Sequence, residues 1–474
     1  MVSRLHPQSD DAHLAGLVSA FQVPPTQIDA MASDRYQIYN SLEAASSVGQ
    51  NQTITIEIPG CASGSYYDLS RSYILCKGTF VQGGVIPCTF DSNVSTMYGW
   101  TSRVFNRMNM SFGSTSVVED YEYYGASHWL HQQLTRSRSS LQANEFVEGW
   151  VEDRQNADTM NDNVVSSSLV PANGQTNAGA VDRRNYWLLG TAGSPRPVTS
   201  WKHTPLGPWS STTCLPSDVN VRLRLTRGRN AELLYGLENG DHDFSFNLQS
   251  VQAYMFRVVM TPDADRALLA MMAKNDLLIP HQRVRMVTQS FEPSTTIMQM
   301  NAQLQGPRAN KLFMFTAFEE AFSGTYESAT PFRLDGRATS TNPSPGQSAT
   351  EIRLRCGDVD VPLRGYETIV GGASGQMAQA TGSKDIAEVY AALQALTVTN
   401  DPGISSRQYS NIQIWAFDLS IISALVQDPI KENTQVSCTV RLSSANRKRR
   451  TLGLLSYTSS VVQIANDRTI SLDI

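Results

Sequence analysis

His128 and His131 stand three residues apart, and on one helix that spacing would set both imidazoles near a single face, as a zinc site requires. No third ligand follows at a recognisable spacing, so the competing reading is a histidine packed at the end of a helix. Glu319 and Glu320 close an apolar run over residues 311–318, where a glycosidase might carry one of its two carboxylates. Adjacent residues of an extended strand point to opposite faces, so this pair cannot act as acid and nucleophile on one substrate; a solvated strand end is the plainer reading. The serines include no G-x-S-x-G elbow, and Gly371-Gly-Ala-Ser-Gly375 lacks the lysine and the strand-to-helix context of a phosphate loop. Arg447-Lys448-Arg449-Arg450 is the one basic cluster, and it reads as an import signal, an anion contact or a solvated hairpin tip. Trp129, Trp150, Trp201, Trp209 and Trp415 either anchor a partner or fill a core. No catalytic, cofactor-binding or metal-ligating residue is nominated, no cofactor is implied, and the expectation is a protein that is not an enzyme.

The elements that would position these residues are mostly strands. Apolar side chains alternate with polar ones in 54–58, 108–112, 219–225, 298–304 and 352–356, which marks extended chain with one buried face. Denser apolar runs at 73–81, 248–260, 311–318, 413–419, 435–442 and 452–464 read as strands covered on both faces. Three helices are expected. One carries apolar residues from Val117 through Tyr121, Tyr124 and Trp129 to Leu134. A second opens on Thr261-Pro262-Asp263, an N-cap with proline in the first turn, and runs to about Asn275. A third spans about 385–396. Polar connections at 153–180, 190–217, 336–349 and 368–383 are longer than structureless loops usually are unless they carry function.

A chain of 474 residues holds about two or three domains. The turn cluster at 236–243 lies near the middle, and strand pattern resumes at Phe244, so a boundary is expected there. The division is an arm over 1–45, a first β-sandwich over 46–238 and a second over 239–474, with no residue-level repeat between the halves. The net charge of −5 argues against a chain whose main task is gripping phosphate backbones. Seven of the 38 basic residues are lysines, at 77, 202, 274, 311, 384, 431 and 448, and the rest are arginines. That excess fits either protein interfaces, where arginine is favoured over lysine, or a GC-rich coding sequence.

Residues 1–20 contain no apolar stretch of signal-peptide length. The longest apolar runs, 267–273 and 421–426, are far short of the roughly 18 residues that span a bilayer. The cysteines at 61, 76, 88, 214, 356 and 438 form no C-x-x-C pair and are expected to be buried free thiols of a reducing compartment. Triplets of the N-x-S/T type at Asn51, Asn93 and Asn109 are read as chance, because the sequence shows no export signal.

Several stretches, in order, resemble the double jelly-roll major capsid proteins of polinton-like viruses, virophages, adintoviruses and adomaviruses. They are Thr53-Ile-Thr-Ile-Glu-Ile-Pro-Gly60 leading to Tyr67-Asp-Leu-Ser-Arg71, the aromatic stretch Glu119-Asp-Tyr-Glu-Tyr-Tyr-Gly125, Asn220-Val-Arg-Leu-Arg-Leu-Thr-Arg227, residues 251–262, Phe322-Ser-Gly-Thr-Tyr326, Ile404-Ser-Ser-Arg-Gln-Tyr409 with Ala416-Phe-Asp-Leu419, and the closing strand at 452–464. The likeness covers roughly residues 50–470. The polar insertion near 153–217 and the Gly- and Ser-rich segment 336–383 depart from it. The resemblance implies an all-β fold of two consecutive jelly rolls with short helices in long loops. It further implies a homotrimeric, pseudo-hexagonal capsomer tiling an icosahedral shell around double-stranded DNA. Its implied partners are other copies of the chain, penton proteins and minor capsid or cement proteins, with no direct sequence-specific nucleic-acid contact. Its implied place is the virion, assembled in host cytoplasm or nucleus. The alternative is a tandem β-sandwich that binds glycans through its loops.

Overall fold

The computed structural model describes residues 31–82, 94–119, 123–152, 178–188, 199–235, 244–304, 309–319, 349–357, 359–367, 384–397, 414–419, 434–442, 445, 449–465 and 467–473. Among the described residues eight strands of four or more residues build the first half: β1 (Met31–Asn40), β2 (Thr53–Ile58), β3 (Ser65–Gln82), β4 (Phe105–Phe112), β5 (Thr115–Val118), β6 (Thr199–His203), β7 (Val221–Arg227) and β8 (Phe244–Met260). Eight more build the second: β9 (Leu277–Phe291), β10 (Ile297–Leu304), β11 (Ala309–Phe318), β12 (Ala349–Cys356), β13 (Val359–Glu367), β14 (Ile414–Asp418), β15 (Thr434–Leu442) and β16 (Arg450–Ile464), and a short strand at Ile470–Asp473 turns back to pair with β16.

Their pairing is antiparallel and the same in each half. Sheet one runs β1-β8-β3-β6 and sheet two β2-β7-β4-β5; sheet three runs β9-β16-β11-β14 and sheet four β10-β15-β12-β13. Counting strands from the start of each half, both follow the orders 1-8-3-6 and 2-7-4-5. Eight strands wound into two facing sheets in this order make a jelly roll, so the chain is two of them in series. Alternation is strictest in the sheets with one buried face. In β7 the buried residues are Val221, Leu223, Leu225 and Arg227, and in β10 every second residue from Met298 to Leu304 is buried. Strand β16 is buried at most positions on both faces. In the second sandwich Tyr366 of β13 meets Phe417 of β14 across the core, with centroids 5.8 Å apart.

Among the described residues three helices of more than ten residues join these strands: α1 (Tyr124–Thr135) between β5 and β6, α2 (Pro262–Met272) between the sandwiches, and α3 (Lys384–Leu396) between β13 and β14, with short helical pieces at Arg138–Ala143, Glu145–Glu148 and Ala178–Arg183 after α1. Both α2 and α3 lie where the sequence places them. Helix α1 starts later than expected, because Val117 and Val118 belong to β5, where Val118 pairs with Met110. Of the long polar connections, 190–217 contains β6, and most of the others lie outside the described residues.

Two boundaries differ from expectation. Strand β8 follows the turn cluster at 236–243 yet pairs with β1 on one side and β3 on the other. It therefore closes the first sandwich, and the passage to the second is α2. Residues 31–40, expected in an arm, form β1 at the edge of sheet one. The strand escapes the alternation test because Tyr36 and Ile38 face outward and remain 46% and 49% exposed, so no contrast of buried and wet faces is written into it.

Candidate functional site: the seam between the sandwiches

The residues singled out for chemistry do not meet in one place. His128 turns into the first sandwich, where its Nε2 lies 2.9 Å from the Thr204 carbonyl and its ring stacks on His203 at 4.5 Å. His203, on β6, is 2.9 Å from the Tyr124 hydroxyl through Nε2. His131, one turn on, points the other way and sets Nδ1 3.2 Å from the Tyr457 hydroxyl on β16 of the second sandwich. The i, i+3 spacing thus bridges two domains and does not converge on an ion, and among the described residues no group of three His, Cys, Asp or Glu side chains is placed to hold a metal.

His131 is one stitch of a longer seam. Glu119, just past β5, pairs with Arg283 on β9 at 2.5 Å. Val118, Leu206 and Gly207 of the first sandwich enclose a small cleft with His281, Arg283, Val284 and Arg285 of β9. Thr115 Oγ1 donates to the Ile470 carbonyl at 2.9 Å, and Tyr66 donates to Asp265 of α2 at 2.6 Å. Burial removes water from the two imidazoles of this seam, His131 and His281, and from His128 and His203 inside the first sandwich, and disfavours their charged forms. The pKa of His128 falls to about 4, that of His131 to about 3 and that of His281 to about 4, with His203 also held well below the ordinary value of 6.5. Among the described residues the charges named along the seam are the Glu119–Arg283 pair, Arg285 and Asp265.

The remaining candidates have structural employment. Glu319 and Glu292 both pair with Arg449, at 3.5 and 2.6 Å; Glu320, Arg447 and Lys448 lie outside the described residues. Arg450 is no part of a solvated tip: it opens β16, fully buried, with its guanidinium over the Phe318 ring. The five tryptophans named from the sequence are core, as are Trp100 and Trp187. Trp100 and Trp201 pack at 5.2 Å with Phe80 and Phe246 beside them. Cys61, Cys76, Cys214, Cys356 and Cys438 are buried and free, and Cys88 lies outside the described residues.

Part of the arginine excess is internal, a use that neither sequence reading included. Buried Arg183 donates to the carbonyls of Thr96 and Val151, and Arg227 to those of Val48 and Phe246. A fixed fork of five donors suits that work better than a lysine does. His281, Tyr457 and Arg283 carry no local signal, because each sits singly in a strand and gains meaning only across the domain boundary, and His203 carries none because its partners Tyr124 and His128 lie on a distant helix. Among the described residues no helix is long and apolar enough to cross a membrane.

No family model matches this sequence, and no curated protein matches it. Solved structures do match in fold. A chain of the Sputnik virophage structure is similar with a TM-score of 0.58 at 12% identity, covering 94% of this chain and 89% of that one. The mavirus major capsid protein is similar with a TM-score of 0.50 at 10% identity, covering 96% and 91%. The Faustovirus major capsid protein is similar with a TM-score of 0.52 at 8% identity, covering 91% and 90%. The double jelly-roll fold that the sequence resemblance implies is the fold observed.

Proposed function

We propose that this chain is a structural major capsid protein, a building block whose work is done by shape and contact area. The observation that carries the reading is the duplicated eight-strand order, matched over nine tenths of both chains by capsid proteins of virophages and Faustovirus. Two sandwiches side by side give one chain two near-equivalent lobes, so three chains supply six lobes to a pseudo-hexagonal capsomer. Such capsomers tile an icosahedral shell around double-stranded DNA, with penton and minor or cement proteins filling the places a hexagon cannot. Many modest, mostly polar contacts then sum into a stable shell while each stays reversible. The natural division is a first jelly roll ending at Met260 and a second beginning at Leu277, which leaves residues 1–30 for the arm.

The reading places the protein in the virion, assembled in the cytoplasm or nucleus of the host. Mass measurement and electron microscopy of the purified chain test it. Three copies of 52.2 kDa make a 156.6 kDa particle with a three-fold axis and a hexagonal outline. A stable monomer would reject the reading and favour the glycan-binding alternative.

A further inference from the structure

The cleft between the sandwiches carries more donors than acceptors. His281, Arg283 and Arg285 occupy every second position of β9, so the three project from one side of that strand. Across from them the first sandwich sets Val118, Leu206 and Gly207, whose side chains accept no hydrogen bond. Glu119 is the one carboxylate among the lining residues; its side chain is 53% exposed and pairs with Nη2 of Arg283 at 2.5 Å. His281 is 7% exposed, yet neither ring nitrogen makes a hydrogen bond of acceptable geometry, the nearby Ile279 carbonyl included. A neutral imidazole always carries one N–H. This wall therefore holds a buried donor that no protein acceptor answers, where buried polar groups are ordinarily paired. Gly207 keeps room beside the ring: its φ is +88°, and a Cβ there would stand 2.7 Å from Val118 Cγ2 and 3.9 Å from His281 Cδ2. What remains is a cavity of about 10 Å³, the space of one water-sized particle. A carboxylate, sulfate or phosphate is too large for it, and beside two guanidiniums a negative ion is held more strongly than neutral water.

We propose that this cleft binds a single monatomic anion, chloride or bromide, between the His281 N–H and the guanidiniums of Arg283 and Arg285. The ion answers donors that would otherwise press on an apolar wall, so the two sandwiches close most firmly when it is bound. Arg283 can serve two neighbours at once, since a guanidinium presents five donors in a fixed fork and Glu119 Oε2 is met by Nη2. Glu119 and the ion compete for the same positive charge, which makes the carboxylate a brake on binding. Every residue of the site lies within one chain, so the inference does not rest on the capsid reading and is tested apart from the oligomeric state.

The test melts the full chain at constant ionic strength while sodium chloride is exchanged stepwise for sodium gluconate, whose anion is too large to enter. At about 150 mM total salt, chloride is expected to raise the midpoint by about 3 °C over gluconate, along a saturating curve. Bromide should act as chloride does, and in crystals grown from bromide its anomalous scattering should mark the cleft beside His281. His281→Phe keeps a ring and removes both nitrogens, so the chloride increment is lost. Glu119→Gln removes the competing carboxylate, so half-saturation moves to several-fold lower chloride, a shift that a purely structural Glu119–Arg283 pair would not produce. Should His281→Phe fail to fold, the Glu119→Gln titration and the bromide signal decide the question. Equal midpoints in chloride and gluconate overturn the inference, as does an equal chloride increment in wild type and His281→Phe. A half-saturation unmoved by Glu119→Gln, or a cleft that holds only water in bromide crystals, also overturns it.

Discussion

Sheets one and three have the same strand order and the same place in their jelly rolls, yet one is wet on its outer face and the other dry. Topology is therefore not what separates the halves. The difference lies in what covers them: sheet three has α1 and the β5 end of the first sandwich against it, while sheet one meets nothing comparable among the described residues. An internal seam of this kind fixes the relative placement of two lobes by contacts that need no second molecule.

Acid gives the largest expected way to break the seam, and it loosens the first sandwich with it, because His128 and His203 lie inside that sandwich while His131 and His281 lie on the seam. Above pH 6.5 the imidazoles of His128, His131, His203 and His281 are neutral folded or unfolded, and their contribution is fully present. As pH falls below 6.5 the unfolded chain binds protons that the folded seam refuses until about pH 4 for His128 and His281 and about pH 3 for His131. Each depressed histidine then costs up to about 1.4 kcal/mol of stability per pH unit in that window. The expected loss between pH 7 and pH 5 is several kcal/mol, read from urea midpoints. Tryptophan fluorescence suits the measurement, since six of the seven indoles belong to the first sandwich and its loops. A midpoint that does not move over this range would show that the seam is already hydrated.

A charge placed on each outer face comes next. Leu455 is fully buried on the covered face of sheet three, so Leu455→Asp is expected to cost about 4 kcal/mol or more, through an unpaired buried carboxylate. Ile38→Asp, on the half-exposed outer face of sheet one, should change the stability of the single chain by less than about 0.5 kcal/mol. Equal losses at the two sites would erase the distinction between a covered and an open face. A smaller loss tests the likeness of the two folds instead. Gly78 of β3 and Gly453 of β16 each have a phenylalanine ring from the paired strand where a Cβ would stand, Phe246 and Phe315 respectively. Alanine at either site forces that ring aside at about 1–3 kcal/mol, and denaturation curves should give similar values for both.

Much of this architecture is legible in the sequence, and what is missed follows a rule. Strands β2, β4, β7, β10 and β12 announce themselves because one face is core and the other solvent, and α2 and α3 because their ends carry helix chemistry. Strands β1 and β9 stay hidden because each sits at a sheet edge beside the other lobe or an open face. Met31-Ala-Ser-Asp-Arg-Tyr-Gln-Ile-Tyr-Asn40 puts Tyr36 and Ile38 outward, and β9 buries His281 while carrying Pro280 and Arg283. The strongest mid-chain turn signal, at 236–243, is not the boundary, because a jelly roll pairs its last strand with its first and β8 returns across that turn to β1. No local pattern reports such a pairing. The candidate seam is invisible for the same reason: His131 and Tyr457 are 326 positions apart.

The smallest effect probes the seam at a single atom. The Tyr457 hydroxyl is 3.2 Å from His131 Nδ1 and its ring stacks loosely on the imidazole at 5.8 Å. Tyr457→Phe keeps the ring and removes the oxygen, leaving a buried imidazole nitrogen without that partner, at about 1 kcal/mol. Tyr73→Phe makes the same change on the outer face of sheet one, where water replaces whatever the hydroxyl loses, and the expected change is near zero. The pair of measurements separates a hydroxyl that joins two lobes from one that merely sits on a surface. If both substitutions are silent, the His131–Tyr457 contact carries none of the seam, and the two sandwiches are held by the packing of α1 and β9 and by the Glu119–Arg283 pair.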